Sequence, residues 1–244
     1  MVDYRRDRNM HIKSGRLILS IIFILCLSFQ ASAWNPMVVV SGGGVSGWST
    51  DFVDCTAGNV DDQTGWETNR NDSDNADRGG DFVCSSGTAY RGANCGVIQY
   101  LLAEYSLSDA DYSIQVEAKV AAEANGRIFG TCLRCTVDST GLTGYVVRVD
   151  TAGNLVDIYK YTDGSSATLL DDDAITDVDW TAFQTVKVSI SGSATTTINF
   201  YVEGSLEATV DDSSSPITAA NYAGMASYCG TGTEETFDDF QIIE

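Results

Sequence analysis

The chain has 244 residues, of which 34 are acidic and 14 are basic, and its formal net charge at pH 7 is −20. Such an acidic surface repels phosphate backbones and anionic lipids, which excludes nucleic acid and anionic membranes as expected partners. The length is sufficient for one β-domain with a substantial hydrophobic core.

Residues 1–33 have the pattern of a secretory signal peptide. A basic stretch that ends at Arg16 precedes the apolar run Leu17–Leu27. The tripeptide Ala31-Ser32-Ala33 then matches the small-x-small site that signal peptidase cuts. Because the apolar run is too short to span a bilayer, we expect export without membrane insertion after cleavage. The predicted location is extracellular, at a cell surface or periplasmic.

Cleavage after residue 33 removes His11, the single histidine of the chain. The predicted mature chain therefore has no imidazole, which excludes Ser-His-Asp catalysis, Cys-His catalysis and zinc sites built on histidine. It keeps nine basic and 32 acidic side chains, which give a formal charge of −23.

Six cysteines remain in the predicted mature chain, and an even number in an exported protein predicts three disulfides. They are Cys55, Cys84, Cys95, Cys132, Cys135 and Cys229. Cys84 and Cys95 flank a Ser-Ser-Gly turn, so a bond between them would join adjacent strands. The Cys132-x-x-Cys135 spacing also occurs in redox and zinc motifs. Here it lies in a β-type run without a second such pair, which favours disulfides.

After residue 33 no segment has convincing helical periodicity. Short runs rich in Val, Ile, Tyr and Thr alternate with Gly, Asn-Gly and Asp-Gly turns, a pattern that predicts antiparallel strands. The predicted strands are 97–102, 112–120, 127–135, 144–150, 154–161, 184–191, 195–203, 206–210, 223–229 and 235–243. Residues 54–95 are predicted to be the irregular, loop-rich first part of the same domain. Asp171-Asp172-Asp173 is predicted to be a solvated turn.

The loop 71–81 is rich in Asp, Asn and Gly and suggests a calcium site. Calcium prefers several hard oxygen ligands on a flexible loop, and Asp72, Asp74 and Asp77 would supply them together with backbone carbonyls. Ala76 stands where a third regularly spaced ligand is expected. The alternative is an ordinary turn, which has the same composition.

Three basic residues, Arg134, Arg148 and Lys160, fall at matching steps of three consecutive predicted strands. If these strands are neighbours, the three cations line one face and form a patch for an acidic or sulfated sugar. The alternative is that each cation pairs with a local aspartate on a solvated face.

The opposite steps of the same strands hold Tyr145, Asp157 and Tyr159. Tyrosine rings stack on sugars, and an aspartate accepts hydrogen bonds from sugar hydroxyls, so this set is the second candidate for a binding face. The alternative is that the tyrosines belong to the core with their hydroxyls satisfied there.

A series of segments from about Asp81 to the C-terminus has a familiar order and spacing. The segments are Asp111–Val116, Gly126–Arg134, Gly144–Arg148, Gly153–Lys160, the hairpin Phe200–Gly204, and the closing pair Tyr222–Ala226 and Phe237–Ile242. This series resembles the concanavalin A-like lectin/glucanase superfamily, in its LamG-like (laminin G-like) branch.

The resemblance implies an all-β fold, in which residues 34–244 form one two-sheet antiparallel jelly roll. It also implies that a concave sheet faces a glycan and that calcium binds near the rim. In the arrangement typical of this superfamily the 223–229 strand lies beside the 127–135 strand. That arrangement favours a disulfide from Cys229 to Cys132 or Cys135, with Cys55 bonded to the other.

Glucanases of this superfamily carry clustered carboxylates, Glu-x-Asp-x-(x)-Glu, on one strand. The nearest match here contains Glu235 and Asp239, which strict alternation places on one face. This face lacks the required third carboxylate, so a glycoside hydrolase is the minority interpretation. We therefore expect a secreted carbohydrate-binding or adhesion module that has a glycan or glycosylated surface as its partner. The alternative from another class is a structural surface, appendage or virion-associated protein.

Overall fold

The structure is a computed structural model, and it describes residues 47–50, 52, 58–59, 66–67, 82–85, 87–91, 99–103, 105–123, 127–138, 141–162, 166–219, 222–229 and 235–244. The chain divides into two compact units, Met1–Pro36 and Met37–Glu244, and all described residues belong to the second unit. The predicted signal peptide lies outside the described residues, so it stays a prediction.

The regular structure of the described residues consists of strands. They are β1 (Gly47–Thr50), β2 (Gly58–Asn59), β3 (Trp66–Glu67), β4 (Phe82–Ser85), β5 (Thr88–Arg91), β6 (Gln99–Ala103), β7 (Tyr112–Val120), β8 (Arg127–Asp138), β9 (Gly141–Asp150), β10 (Leu155–Tyr161), β11 (Ala167–Ala174), β12 (Gln184–Ser191), β13 (Thr196–Val202), β14 (Ser205–Asp212), β15 (Tyr222–Cys229) and β16 (Glu235–Ile243). Within this described part there is no helix of the length and hydropathy needed to cross a bilayer.

The strands form two antiparallel sheets. The nine-stranded sheet has the order β14-β13-β12-β7-β16-β5-β4-β2, and β1 pairs with β16 beside this path. The seven-stranded sheet has the order β11-β10-β9-β8-β15-β6-β3. The predicted all-β sandwich is confirmed, and β8, β9 and β10 are neighbours as expected.

Alternation along each strand builds the core between the sheets. In β7 every second residue from Tyr112 to Val120 is buried, and the residues between them are half-buried. Aromatic rings fill the centre: the Phe129 ring lies 5.2 Å from Trp180 and 6.2 Å from Phe237, measured between ring centroids. Burying one such side chain contributes about 1.5–3 kcal/mol.

Tight turns connect the long strands where the sequence predicted them. Asn154 has a φ of 47° between β9 and β10, and Glu203 and Gly204 have φ values of 50° and 80° between β13 and β14. Asparagine and glycine tolerate this left-handed region, whereas Glu203 adopts it as a residue with a Cβ.

The prediction of a turn at Asp171-Asp172-Asp173 is wrong, because these residues belong to β11. They pair with β10, with Asp171 opposite Ile158 and Asp172 opposite Asp157. β11 is the edge of the seven-stranded sheet. Charged residues are common on such edges because they discourage pairing with other chains. The same run of charged residues is also typical of a solvated turn, which explains the wrong prediction.

The predicted disulfide from Cys229 to Cys132 or Cys135 is also wrong. Strand β15 does lie beside β8, but the antiparallel register places Cys229 opposite Arg127. At about 3.4 Å per residue this position is about 17 Å along the strand from Cys132. Cys132 and Cys135 are instead bonded to each other, with their Cα atoms 6.0 Å apart.

A β-bulge brings these two cysteines together. The register between β8 and β9 shifts between Leu133 and Thr136, and Arg134 at its centre has a φ of 49°. Cys55 and Cys95 lie outside the described residues, and the side chains of Cys84 and Cys229 are not described. The predicted Cys84–Cys95 disulfide therefore stays a prediction, whereas the predicted bond from Cys55 to Cys132 or Cys135 is wrong, because these two cysteines are bonded to each other.

Candidate functional site

The register of the seven-stranded sheet separates the six predicted binding residues into two groups. Lys160 lies opposite Tyr145, whereas Arg148 lies opposite Asp157. Residues in directly opposed pairs share a face of the sheet. Tyr145 and Lys160 point into the sandwich, and Arg148 and Asp157 point away from it. The predicted face with three cations is therefore not formed.

Lys160 is held by a closed set of interior partners. Its Nζ donates to Oδ2 of Asp212 at 2.7 Å and to the carbonyl oxygens of Ser214 and Ser215 at 2.5 and 2.7 Å. The three protons of the ammonium group are thereby used. Tyr145 completes the group, since its hydroxyl donates to the same Oδ2 at 2.7 Å and accepts from the Ile217 amide at 2.9 Å.

The surroundings shift the pKa values of Asp212 and Tyr145 in this interior group. Burial opposes ionisation of Asp212, but hydrogen bonds from Lys160, Tyr145 and the Ser214 amide outweigh it and lower the pKa of Asp212. Burial raises the pKa of Tyr145, and the neighbouring carboxylate of Asp212 acts in the same direction. The pair is an ionised Lys160–Asp212 bridge that anchors the segment after β14 to the sheet.

Arg134 is fully buried and is a second interior anchor. Its five guanidinium donors reach the carbonyl oxygens of Ala110, Ile217 and Gly192, the Thr196 hydroxyl and the Asp111 carboxylate, over distances of 2.7 to 3.1 Å. Because all five N–H groups have acceptors, none is available to a ligand. The left-handed conformation at the bulge turns this side chain into the sandwich.

The outward group is a compact cluster of Arg148, Asp157, Tyr159 and Tyr161, which we call the outward cluster. Arg148 Nη2 donates to Asp157 Oδ2 at 3.0 Å. The guanidinium carbon lies 3.9 Å from the centroid of the Tyr159 ring, and the Tyr159 and Tyr161 rings are 6.3 Å apart. The charged side chains are partly accessible, at 15% for Arg148 and 22% for Asp157.

Several polar atoms of the outward cluster have no hydrogen-bond partner among the described residues. Among the described residues, Arg148 Nη1, Asp157 Oδ1 and the Tyr159 hydroxyl have no hydrogen-bond partner. Arg148 Nε is buried and also has no acceptor there. A buried donor without an acceptor is unfavourable by about 1–3 kcal/mol.

A second apolar cluster supports the outward cluster from the same side of the sheet. Val146 lies opposite Tyr159 on the adjacent strand, and Gly130 lies opposite Arg148. The members of this apolar cluster are Leu102, Cys132, Cys135, Leu142, Val146 and Ala226, with Tyr161 and Tyr222 packed against them. The disulfide thus belongs to the support of the candidate site.

Sequence reasoning found Arg148, Asp157 and Tyr159 but missed Tyr161. The signal was present, because Tyr159 and Tyr161 are two residues apart on one strand and therefore share a face. The prediction also placed Arg148 and Asp157 in different sets, because the register between β9 and β10 determines that these two residues lie opposite each other on one face.

The two minority catalytic candidates do not share a face. Glu235 is fully buried and points into the sandwich, where the Ser227 hydroxyl donates to its Oε2 at 2.9 Å. Asp239 is exposed and has a φ of 45°. The strand register shifts between Asp238 and Gln241, and this bulge turns Asp239 out of the alternation that predicted a common face.

No group of three or more His, Cys, Asp or Glu side chains in the described part of the chain is arranged to hold a metal ion. Asp72, Asp74 and Asp77 lie outside the described residues. Calcium binding by this loop therefore stays a prediction.

The fold is similar to that of several solved structures. The carbohydrate-binding module CBM66 from Bacillus subtilis is 18% identical with a TM-score of 0.53, over 73% of this chain and 95% of that chain. The carbohydrate recognition domain of Emp47p is 12% identical with a TM-score of 0.55, over 80% and 94% of the two chains.

An enzyme is also among the similar structures. The GlcNAcα1-4Gal-releasing endo-β-galactosidase from Clostridium perfringens is 11% identical with a TM-score of 0.57, over 87% of this chain and 64% of that chain. No protein-family model matches the sequence, and none of the curated proteins matches it. These similar structures are concanavalin A-like jelly rolls, which confirms the predicted fold.

Proposed function

We propose that this concanavalin A-like jelly roll is a secreted carbohydrate-binding module without catalytic activity, and that the outward cluster is its binding site. The observation that carries the proposal is that polar atoms of Arg148, Asp157 and Tyr159 have no hydrogen-bond partner among the described residues and lie beside the Tyr159 and Tyr161 rings. A glycosylated surface outside the cell is the partner that such a module would bind.

The chemistry of the outward cluster fits a sugar. A sugar hydroxyl both donates and accepts, so it is bound best where a donor and an acceptor lie side by side, as Arg148 and Asp157 do. Hydrogen bonds to charged groups contribute about 1.5–3 kcal/mol each. Aromatic contacts add about 0.5–1.5 kcal/mol, and Tyr159 and Tyr161 present such surfaces on one face of β10.

The comparisons support this proposal through the fold. Two of the similar structures are described as a carbohydrate-binding module and a carbohydrate recognition domain, and this chain covers 95% and 94% of them. Since one fold hosts many functions, the assignment to this chain depends on the outward cluster and on the experiment below.

A glycoside hydrolase is the second candidate, because the endo-β-galactosidase has a similar fold. Glycoside hydrolysis uses two carboxyl groups that flank an accessible bond. Glu235 is buried against Ser227, and Asp157 is engaged by Arg148. These positions favour binding over catalysis. A structural protein without a glycan site is the third candidate, and a glycan array separates it from the first.

The test is a glycan array followed by calorimetric titration of the best ligand. We expect Tyr159→Ala to weaken binding at least about tenfold, since one good contact is worth about 1.4 kcal/mol. The matched control is Tyr201→Ala. Tyr201 lies on the outer face of the nine-stranded sheet, with Lys187 Nζ 5.9 Å from the centroid of its ring. Removal of the Tyr201 ring should leave the affinity unchanged.

Two results would overturn the proposal. The first is a folded wild-type protein that binds no sugar on the array. The second is equal weakening by Tyr159→Ala and Tyr201→Ala, which would place the ligand elsewhere. Repeating the titration with EDTA tests the predicted calcium site at Asp72, Asp74 and Asp77.

A further inference from the structure

We infer that the outward cluster selects neutral sugars and rejects sugars that carry carboxylate or sulfate groups. This inference rests on the proposed function and names its ligand class. It follows from the charge of the outward cluster, because its cation, Arg148, is already bridged to Asp157 at 3.0 Å.

The surroundings of Arg148 are acidic. Asp172 lies opposite Asp157 on the edge strand β11 and is exposed. Asp150, two residues after Arg148 on β9, lies opposite Leu155 on the same face. Three carboxylates therefore accompany one guanidinium. Like charges repel each other, and the repulsion is stronger in partly buried sites than in bulk water.

The other predicted cations do not change this balance. Arg134 and Lys160 are buried, and their donors are used by interior partners. Lys119 and Lys187 belong to the nine-stranded sheet, where each lies over an aromatic ring, that of Phe183 or of Tyr201. Among the side chains that the structure describes, an anionic sugar at the outward cluster would therefore meet net negative charge, in a chain whose own net charge is −20.

A neutral sugar with neighbouring hydroxyl groups matches the atoms that remain. Asp157 Oδ1 would accept from one hydroxyl, while Arg148 Nη1 would donate to the next. Because the charges of Arg148 and Asp157 cancel, the pair offers a hydrogen-bond donor and an acceptor. It offers no net positive charge that would attract the carboxylate or sulfate group of an acidic sugar. The cluster thus discriminates by charge while it binds by hydrogen bonds.

The test compares two sugars of equal length, a neutral galactose oligosaccharide and the corresponding galacturonic acid oligosaccharide. For the wild-type protein at a low salt concentration of about 20 mM, where charges are weakly screened, we expect at least about tenfold tighter binding of the neutral sugar. Added salt should reduce this ratio, because it screens the repulsion of the acid. Equal or tighter binding of the galacturonic acid oligosaccharide would overturn the inference and leave the proposed function intact.

The decisive variant is Asp157→Asn, which keeps a side-chain oxygen as acceptor but removes the charge that balances Arg148. We expect the neutral-to-acidic affinity ratio to fall at least about tenfold. The matched control is Asp211→Asn, since Asp211 is exposed on the outer face of the nine-stranded sheet. This variant changes the net charge equally and should leave the ratio unchanged.

Thermal unfolding curves establish that both variants are folded before the titrations are compared. An unchanged ratio in folded Asp157→Asn, or an equal change in Asp211→Asn, would overturn the inference. If the wild-type protein binds neither this pair nor any other sugar on the array, the proposed function fails as well. The wild-type comparison alone tests the inference if Asp157→Asn does not fold.

Discussion

Arg134 and Arg148 lie on neighbouring strands of one sheet, yet their side chains have different environments. Arg134 is fully buried, and its five donors all reach interior acceptors. Arg148 faces outward, bridges to Asp157 and leaves Nη1 and Nε without partners among the described residues. The face of the sheet on which each arginine lies therefore determines whether its cation anchors the fold or is available to a ligand.

The largest expected effect is on stability at Arg134. Arg134→Met would leave several buried acceptors unsatisfied at about 1–3 kcal/mol each, so we expect the free energy of unfolding to fall by about 4 kcal/mol. Arg148→Met should lower it by no more than about 1 kcal/mol, because partly exposed ion pairs are weak. Urea denaturation followed by tryptophan fluorescence measures both, and equal losses would contradict the comparison.

Lys160 should give the next largest effect. Lys160→Met leaves the Asp212 carboxylate buried without its cation, and breaking such a bridge from one side is unfavourable by roughly 3 kcal/mol. The double variant Lys160→Met/Asp212→Leu should recover part of this loss, because it buries no unpaired charge. Lys187→Met on the other sheet is the control and should change the denaturation midpoint little. A double variant no more stable than the single one would refute this explanation.

Glu244 extends the comparison to pH. Burial opposes its ionisation, but hydrogen bonds from the Asp109 and Ser108 amides and the Tyr105 hydroxyl outweigh this and lower its pKa below the ordinary value of 4.5. A lowered carboxyl pKa stabilises the fold above the unfolded-state value and loses that contribution as pH falls through the folded-state value.

Glu244→Gln should therefore lower the free energy of unfolding by about 1 kcal/mol at neutral pH. The difference from the wild type should shrink as the pH falls below about 4.5, where the wild-type carboxylate takes up its proton. Melting temperatures measured from pH 7 to pH 3 test this expectation. A difference that stays constant over the whole range would show that ionisation of Glu244 contributes nothing.

The smallest expected effect sharpens the assignment of Arg148. Lysine retains the charge but loses the planar fork and its stacking on Tyr159, so Arg148→Lys should weaken sugar binding roughly fivefold while the urea midpoint hardly changes. Calorimetric titration and denaturation of the same preparation measure both quantities. Unchanged affinity would mean that the charge of Arg148, rather than its geometry, is what the ligand needs.

The sequence was informative wherever alternation is regular. The limits of β7, β12 and β16 were predicted without error, because period-2 alternation and the flanking turns mark them clearly. The bulges at Leu133–Thr136 and Asp238–Gln241 were missed. Each bulge adds residues to one strand, so the side chains beyond it point to the opposite face of the sheet. Neither bulge contains a residue type from which it could be predicted.

The candidate site was predictable in its residue types but not in its grouping. Arg134 would face outward with Cys132 if β8 alternated strictly, and only the bulge turns it inward. Arg148 meets Asp157 because of the register between β9 and β10. Register depends on contacts between distant parts of the chain, so periodicity within one strand does not reveal it.

Strand β1 has a mechanical consequence. It pairs antiparallel with β16, with Gly47 opposite Ile243 and Thr50 opposite Phe240. Tension applied before Gly47 and after Ile243 would therefore pull on the same end of this pair and open its hydrogen bonds one after another, like a zipper. Trp48, whose ring packs 5.8 Å from that of Phe240, would be the first side chain to resist.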